Sequence, residues 1–320
     1  MKKILCIGEL LIDFICSDID NSLIEGTNFI KKAGGAPANV TAAISKLGGS
    51  ATFGGSVGAD AFGLFLKKTL DDVAVDTSLL KVLEKQNTTL AFVSLKENGE
   101  RDFIFNRGAD ENFCLSDKEY QLLNDYEIVH FGSATALLGG ELKETYLKSM
   151  MKAKELNLFI SFDPNYRVDL WKGRDNEFID AAKECLKYAD FVKVSDEEAK
   201  ILTGKEDLKE AAKDLCVWGA KTVAITLGKE GTMITDGTNL EIIQSIKIKS
   251  IDSTGAGDAF VGATLYKLSL EESSKEVVRT FSNFKKIIQF GNIVGAIVCT
   301  KLGAIAAIPT LDEVRSFIEE

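Results

Sequence analysis

Short apolar runs rich in β-branched residues, separated by stretches with helical periodicity, constrain the fold of this chain more than any other feature. Residues 4–7 (ILCI), 128–131 (IVHF), 159–162 (FISF), 191–194 (FVKV) and 223–227 (VAITL) have the length and branching of buried strands. Between them, residues 142–156 and 177–188 read as helices. Residues 37–47 place Val40, Ala43, Ile44 and Leu47 on one helical face, with Pro37 near the start and Gly48 just past the end. This alternation predicts an α/β fold, a mostly parallel central sheet with helices on both faces. Ligands of such sheets bind beyond the carboxyl ends of the strands.

Two segments break the rhythm. Residues 14–32 carry short apolar pieces between polar ones. Residues 88–105 read as two alternating strands, TTLAFVSLK and RDFIFN, joined by Glu97-Asn98-Gly99-Glu100, whose Asn-Gly pair signals a hairpin turn. We expect a small antiparallel β lid formed by segments of about 14–32 and 88–107, with an ordinary edge extension as the alternative. The 320 residues contain no repeat, low-complexity tract or interdomain linker, so a single domain over 1–320 is expected.

The formal net charge of −10 argues against a nucleic-acid partner, which needs clustered Lys and Arg, yet does not oppose a small anionic ligand. Six cysteines are scattered without a CxxC pair and read as reduced thiols. The N-terminal apolar run is interrupted by Glu9 and Asp13 and is followed by no small-residue cleavage site. It is therefore not read as a leader, and no run reaches the length of a membrane span. A cytoplasmic protein with no membrane partner is expected. The only histidine, His130, ends an apolar run and reads as a core residue, so neither a catalytic triad nor a zinc site is supported.

The stretch IDSTGAGDAFVGATL, residues 251–265, is the most informative. Residues 242–251 alternate like a strand and residues 259–268 read as a helix. Gly255, Ala256 and Gly257 would then lie at a helix N-terminus, where unpaired N–H groups and the dipole favour an anion. Asp258 would repel a resting phosphate, but suits a base that deprotonates a hydroxyl attacking it, with the dipole keeping the carboxylate ionised. A plain helix with an acidic first turn fits the pattern equally. In AGGAPANV, residues 33–40, Gly34 and Gly35 allow close backbone approach and Asn39 can present an amide to a polar ligand. GGSVGADAFG, residues 54–63, reads as a turn beneath the site. Neither a P-loop nor a dinucleotide-binding glycine motif is present. Only six residues are arginine, and Arg107 and Arg167 stand where they could meet a phosphate or sugar.

Taken together, these motifs resemble the PfkB family of carbohydrate kinases, which share the ribokinase fold. GGAPANVTAAISKLGG is similar to its sugar-site motif and DSTGAGDAF to its catalytic motif, while FGSATALL, SFDPNYR, DLW and VKVSDEE resemble the fructokinase branch. The resemblance implies ATP-dependent phosphorylation of a sugar hydroxyl, with fructose as the first expectation and 2-keto-3-deoxygluconate as the runner-up. It implies Asp258 as base and Gly255, Ala256 and Gly257 as anion hole. Asp13, Gly34, Gly35 and Asn39 would contact the sugar, with Arg107 and Arg167 near its far end or the transferring phosphate. Lys193, Thr226, Gly228, Gly231 and Asn292 would serve ATP, and Glu198 would act on Mg2+ through water. Asp252 and Gly303 would hold a monovalent cation, K+. Ser195 replaces a common asparagine and Ser253 a common threonine. Lid strands of such kinases pair between subunits, so a homodimer is expected.

Overall fold

The five runs expected as buried strands lie side by side at the centre of one sheet. The computed structural model describes residues 2–18, 20–95 and 101–319. Its strands are β1 (Lys3–Ile7), β2 (Leu11–Cys16), β3 (Phe29–Gly34), β4 (Ser50–Gly58), β5 (Asp76–Leu83), β6 (Leu90–Leu95) and β7 (Arg101–Asn106). They continue with β8 (Ile128–Phe131), β9 (Phe159–Phe162), β10 (Phe191–Ser195), β11 (Thr222–Thr226), β12 (Thr232–Thr235) and β13 (Leu240–Ile243). The large sheet has the order β13-β12-β11-β10-β9-β8-β1-β4-β5. All its pairings are parallel except β11–β12 and β12–β13.

Both faces of this sheet are covered, as continuous apolar strands require. Leu5, Ile7, Val129, Phe131, Ile160 and Phe162 pack on one side with the helices Gly140–Glu155 and Asp175–Leu186. Ile4, Cys6, Ile128 and Phe159 pack on the other with the helices Ala36–Lys46, Ala256–Ser269 and Phe281–Val298. The chain leaves β1 toward β4 and β5 and later returns on the other side at β8. The carboxyl ends of β1 and β8 therefore flank the switch point of the sheet, the place where ligands of such sheets bind. Among the described residues no helix is long and apolar enough to cross a membrane.

The second sheet has the order β3-β2-β6-β7. Its β2–β3 and β6–β7 pairings are antiparallel and β2–β6 is parallel. The expected hairpin strands are present, and their Asn98-Gly99 turn lies outside the described residues. One face packs on the helix Ala61–Asp72. The Phe14 ring stacks on Phe92 at 5.1 Å and meets Phe62 edge-on at 5.5 Å, while the Lys31 ammonium lies 3.7 Å from the Phe65 ring centre. By alternation, Asp13, Lys32, Ala91 and Phe105 occupy the opposite face.

Two expectations are corrected. Residues 244–250 are not strand: β13 ends at Ile243, whose carbonyl accepts a 2.9 Å hydrogen bond from Asn292 Nδ2. The chain there passes over the Gly231 turn so closely that a Cβ on Gly231 would fall 2.1 Å from the Ile243 oxygen. Residues 54–58 are not a turn but the end of β4. Their glycines mark close backbone approach, since a Cβ on Gly55 would lie 2.4 Å from the Gly8 oxygen.

The helices Ala36–Lys46 and Ala256–Ser269 touch at Gly262, where a Cβ would lie 2.5 Å from Ala43 Cβ and 2.9 Å from the Val40 oxygen. A Gly262→Val substitution must push the two helices apart and should cost about 2 kcal/mol in urea unfolding, the usual scale of core overpacking. An unchanged unfolding midpoint would contradict this contact.

Candidate active site

Because those two helices touch, their first turns meet. Asn39 Nδ2 donates a 2.8 Å hydrogen bond to Asp258 Oδ2, across 219 residues of sequence. Asn39 Oδ1 is buried without a partner, and Asp258 Oδ1 accepts no hydrogen bond among the described residues. The helix of Asp258 begins at Gly255, whose left-handed φ of 77° suits glycine, and a Cβ there would meet Ala304 Cβ at 2.7 Å. The Ala256 N–H donates to the Ser253 carbonyl at 3.1 Å, while the N–H groups of Gly257 and Asp258 have no acceptor within the helix. Burial pushes the Asp258 carboxyl up to about 6, against the opposing pull of the Asn39 hydrogen bond and the Lys193 and Arg167 charges. The expected lowering by the helix dipole is thus outweighed, yet the carboxylate remains mostly ionised at pH 7.

Asp13, on β2, stands beside Gly34 on β3. A Cβ on Gly34 would fall 2.0 Å from Asp13 Oδ2, so this glycine makes room for the carboxylate. Gly35 follows at φ 108°, with the Glu9 carbonyl 2.4 Å from where its Cβ would be. Burial pushes Asp13 up to about 6, partly offset by Arg167. Arg167, exposed and donating to the Tyr166 carbonyl at 3.0 Å, is the cation that acts on both Asp13 and Asp258. Five sequence-predicted residues, Asp13, Gly34, Asn39, Arg167 and Asp258, are thereby brought to one place.

Lys193 reaches the same place from β10. Its ammonium lies 3.0 Å from Asp163 Oδ2 and would be 3.3 Å from a Cβ on Gly257. Burial works against its charge, but Asp163, Glu198 and Asp258 outweigh that and hold it protonated. Asp163 escaped the sequence reading, in which only Arg167 was singled out from FDPNYR. Its position directly after β9 was the available signal. Glu198 Oε2 accepts from the Ser195 N–H at 2.7 Å, and Oε1 accepts from the Tyr166 N–H at 2.8 Å. Glu198 therefore caps the helix Asp196–Thr203 and pins the segment carrying Arg167.

A buried polar cluster lies behind the site and was also missed. Glu9 accepts from the Ala36 N–H at 3.1 Å, the Ala134 N–H at 3.3 Å and the Ser133 hydroxyl. It serves the first turn of the Asn39 helix, which has no side-chain cap of its own. Burial pushes Glu9 up to about 7. Arg107 belongs to the neighbouring part of this cluster, with Nε 3.2 Å from Asp110 Oδ2 and Nη2 donating to the Thr135 carbonyl at 3.0 Å. Its guanidinium is occupied in joining the end of β7 to the segment after β8. His130 is fully buried, and burial depresses it to about 3, so it stays neutral.

The remaining predicted residues flank the carboxyl edge of the sheet. Thr226 ends β11, and Gly228 and Gly231 form a turn with φ of 57° and 102°. The Asn292 amide is engaged with Thr232 Oγ1 at 2.6 Å and the Ile243 carbonyl. Asp252 accepts from the Thr254 N–H and hydroxyl at 2.9 and 2.6 Å and from the Gly303 N–H at 2.9 Å. Among the described residues no cluster of three or more His, Cys, Asp or Glu could hold a metal ion unaided. A Mg2+ ion fits this site as a companion of phosphates, which is its usual mode. Each Glu198 oxygen accepts one hydrogen bond and keeps capacity for a metal-bound water.

The chain is similar in sequence and in fold to known proteins. The family model described as "pfkB family carbohydrate kinase" matches residues 1–311. A fructokinase of Zea mays is 36% identical over 326 residues, covering 100% of this chain and 98% of the relative. The crystal structure of a fructokinase from Xylella fastidiosa with bound ATP superposes with a TM-score of 0.87 at 31% identity, covering 99% and 98% of the two chains. A fructokinase double mutant from Vibrio cholerae O395, solved in a fructose-, ADP- and potassium-bound form, gives 0.83 at 29%, covering 99% and 98%. The chain belongs to the pfkB family of carbohydrate kinases and has its ribokinase-like fold.

Proposed function

We propose that this protein is a fructokinase, transferring the γ-phosphoryl group of MgATP to the 6-hydroxyl of D-fructose. The observation that carries the chemistry is the Asp258 carboxylate, hydrogen-bonded to Asn39 at a helix N-terminus with the Lys193 ammonium alongside. The fructokinase relatives support the choice of sugar. Asp13 and the unpartnered Asn39 Oδ1 accept sugar hydroxyls and fix the ring. Asp258 takes the proton of the attacking hydroxyl. Of the expected Gly255, Ala256 and Gly257 anion hole, the Ala256 N–H is held by Ser253, so the N–H groups of Gly255 and Gly257, with Lys193, stabilise charge on the transferred group. Asp163 positions Lys193 for this role. Glu198 would hold a water of a Mg2+ ion accompanying the nucleotide, which when bound would neutralise phosphate charge. The Thr226–Gly231 turn and Asn292 line the nucleotide side, and Arg107 steadies the strand end over the sugar.

In this reading 1–320 is one domain and the second sheet is its lid, excluding water as the sugar binds. The lid also supports a homodimer. On the face that bears Asp13, Ile15 is paired with Ile30 and Val93, and Val93 with Phe103, forming an apolar row across all four strands. Ile30 is 50% exposed in the single chain, and a second copy of this lid would cover it. Phe92 lies on the opposite face of this sheet, where its ring stacks on Phe14. A cytoplasmic location accords with a kinase that uses ATP and keeps its thiols reduced.

The decisive assay measures ADP release from MgATP with fructose, 2-keto-3-deoxygluconate, ribose or adenosine. Fructose should be the preferred acceptor, and Asp258→Asn should lower kcat by about 10³-fold, within the range of lost general-base catalysis. Turnover on the keto-acid alone would replace the sugar assignment, and an active Asp258→Asn variant would remove the base.

The pH profile follows from the raised carboxyls. A base works ionised, so kcat/KM should be full near pH 7.5 and fall as pH drops through about 6, the value of both Asp258 and Asp13. A profile still flat at pH 5 would contradict their burial. In sedimentation velocity the wild-type protein should run as a dimer and Ile30→Asp as a monomer, whereas a monomeric wild type would refute the lid interface.

A further inference from the structure

The chain passes between the two sheets four times: at residues 8–10 from β1 to β2, at Gly35 after β3, at residues 84–89 from β5 to β6, and at residues 107–108 after β7. Two buried carboxylates reach all four crossings. Glu9 lies in the first, and its side chain accepts from the Ala36 N–H at 3.1 Å, directly past the second. Asp110 accepts from the Thr89 hydroxyl at the end of the third and from Arg107 Nε, 3.2 Å away, in the fourth. Both carboxylates then take donors from one short segment after β8. Glu9 accepts from the Ser133 hydroxyl and from the Ala134 N–H at 3.3 Å, and Asp110 from the Thr135 hydroxyl at 2.8 Å.

Further bonds close the arrangement on itself. The Thr135 N–H donates to Ser133 Oγ at 3.2 Å, which links the donor of one carboxylate to the donor of the other. The Gly108 N–H donates to Thr89 Oγ1 at 3.0 Å and the Ala109 N–H to the Asn87 carbonyl at 2.8 Å, which ties the fourth crossing to the third. Glu9 and Asp110 are each 1% exposed, and each accepts from three donors. Loss of a donor leaves a buried carboxylate short of partners, so the network favours a single arrangement of the segments it joins. Asp13 stands on β2, four residues beyond Glu9, whereas Asn39 and Asp258 stand on helices packed against the main sheet. The network therefore lies between the carboxylate carried by the small sheet and the catalytic pair carried by the large one.

We propose that Glu9 and Asp110 are positioning residues of one hinge, which joins all four crossings to the Ser133–Thr135 segment and so sets where the lid places Asp13 against Asn39 and Asp258. Neither carboxylate meets the sugar; each acts through the strands it holds. This role rests on the kinase reading of Asp13, Asn39 and Asp258.

The test compares wild type with Glu9→Ala, Glu9→Gln, Asp110→Asn and Thr135→Val, by kinetics on fructose and ATP and by amide hydrogen exchange without substrates. Glu9→Ala and Asp110→Asn should raise the KM for fructose about tenfold and leave that for ATP within about twofold, because it is the sugar carboxylate that moves. Glu9→Gln keeps an oxygen for both N–H donors and should recover most of the loss. In an Asp13→Asn background the same variants should change kcat/KM by less than about twofold more, since the contact they misplace is already gone. Without substrates, β2 and β6 should exchange faster in Glu9→Ala and Asp110→Asn, while β8 and β9 stay as slow as in wild type. An equal rise in both KM values, full additivity with Asp13→Asn, or wild-type exchange in the lid strands would each overturn the proposal. If Glu9→Ala does not fold, Asp110→Asn and the isosteric Thr135→Val, which removes a single donor, carry the same readouts. Exchange needs no sugar, so it tests the hinge even if fructose is the wrong acceptor.

Discussion

Everything at the site depends on one hydrogen bond, from Asn39 to Asp258, because it can form only if two helix N-termini arrive at the same point. Gly262 lets the helices come close enough, and Gly291 and Gly295 do the same for the helix Phe281–Val298 behind them. A Cβ on Gly291 would lie 2.8 Å from Thr264 Oγ1, and one on Gly295 would lie 3.1 Å from the Ala256 oxygen. Glu9 anchors the first of these turns from inside the sheet. The loop around Gly303 and Ala304 backs the second. The catalytic pair is therefore held by packing that is invisible from either motif alone.

The electrostatics follow from the same crowding. Asp13 and Asp258 are each half-buried, and desolvation pushes both up to about 6, so neither would be reliably ionised without the cations around them. Arg167 serves both, while Lys193 serves Asp163 and Asp258. A chain with a net charge of −10 can receive a polyanionic nucleotide because this local arrangement, not the total, sets the field at the site. Binding that excludes water strengthens each of these interactions.

Much of the architecture was legible in the sequence because the central strands are buried on both faces. The runs at 128–131 and 159–162 have the very bounds of β8 and β9, and the others differ by a residue or so at an end. The errors arose where local pattern and tertiary contact disagree. Residues 244–250 alternate like a strand, but Asn292 and the Gly231 turn draw the chain off the ladder. The glycines of 54–58 resemble a turn, yet they are strand residues thinned for the backbone of Gly8. Asp258, Asn39, Gly34 and Asp13 could be found from motif and family resemblance. Asp163 offered only its place directly after β9 and Glu9 no signal at all, since their meaning lies in partners 30 and 124 residues away.

The account centres on Asp258 as the base that meets the sugar hydroxyl. A crystal structure with fructose, Mg2+ and a non-hydrolysable ATP analogue tests it most directly. The account predicts the fructose 6-hydroxyl at hydrogen-bond distance, about 2.6–3.2 Å, from Asp258 Oδ1, with Asn39 still on Oδ2 and the γ-phosphate facing Gly257 and Lys193. A sugar hydroxyl well outside that reach, with Asp258 remaining paired only to Asn39 in the closed complex, would contradict it.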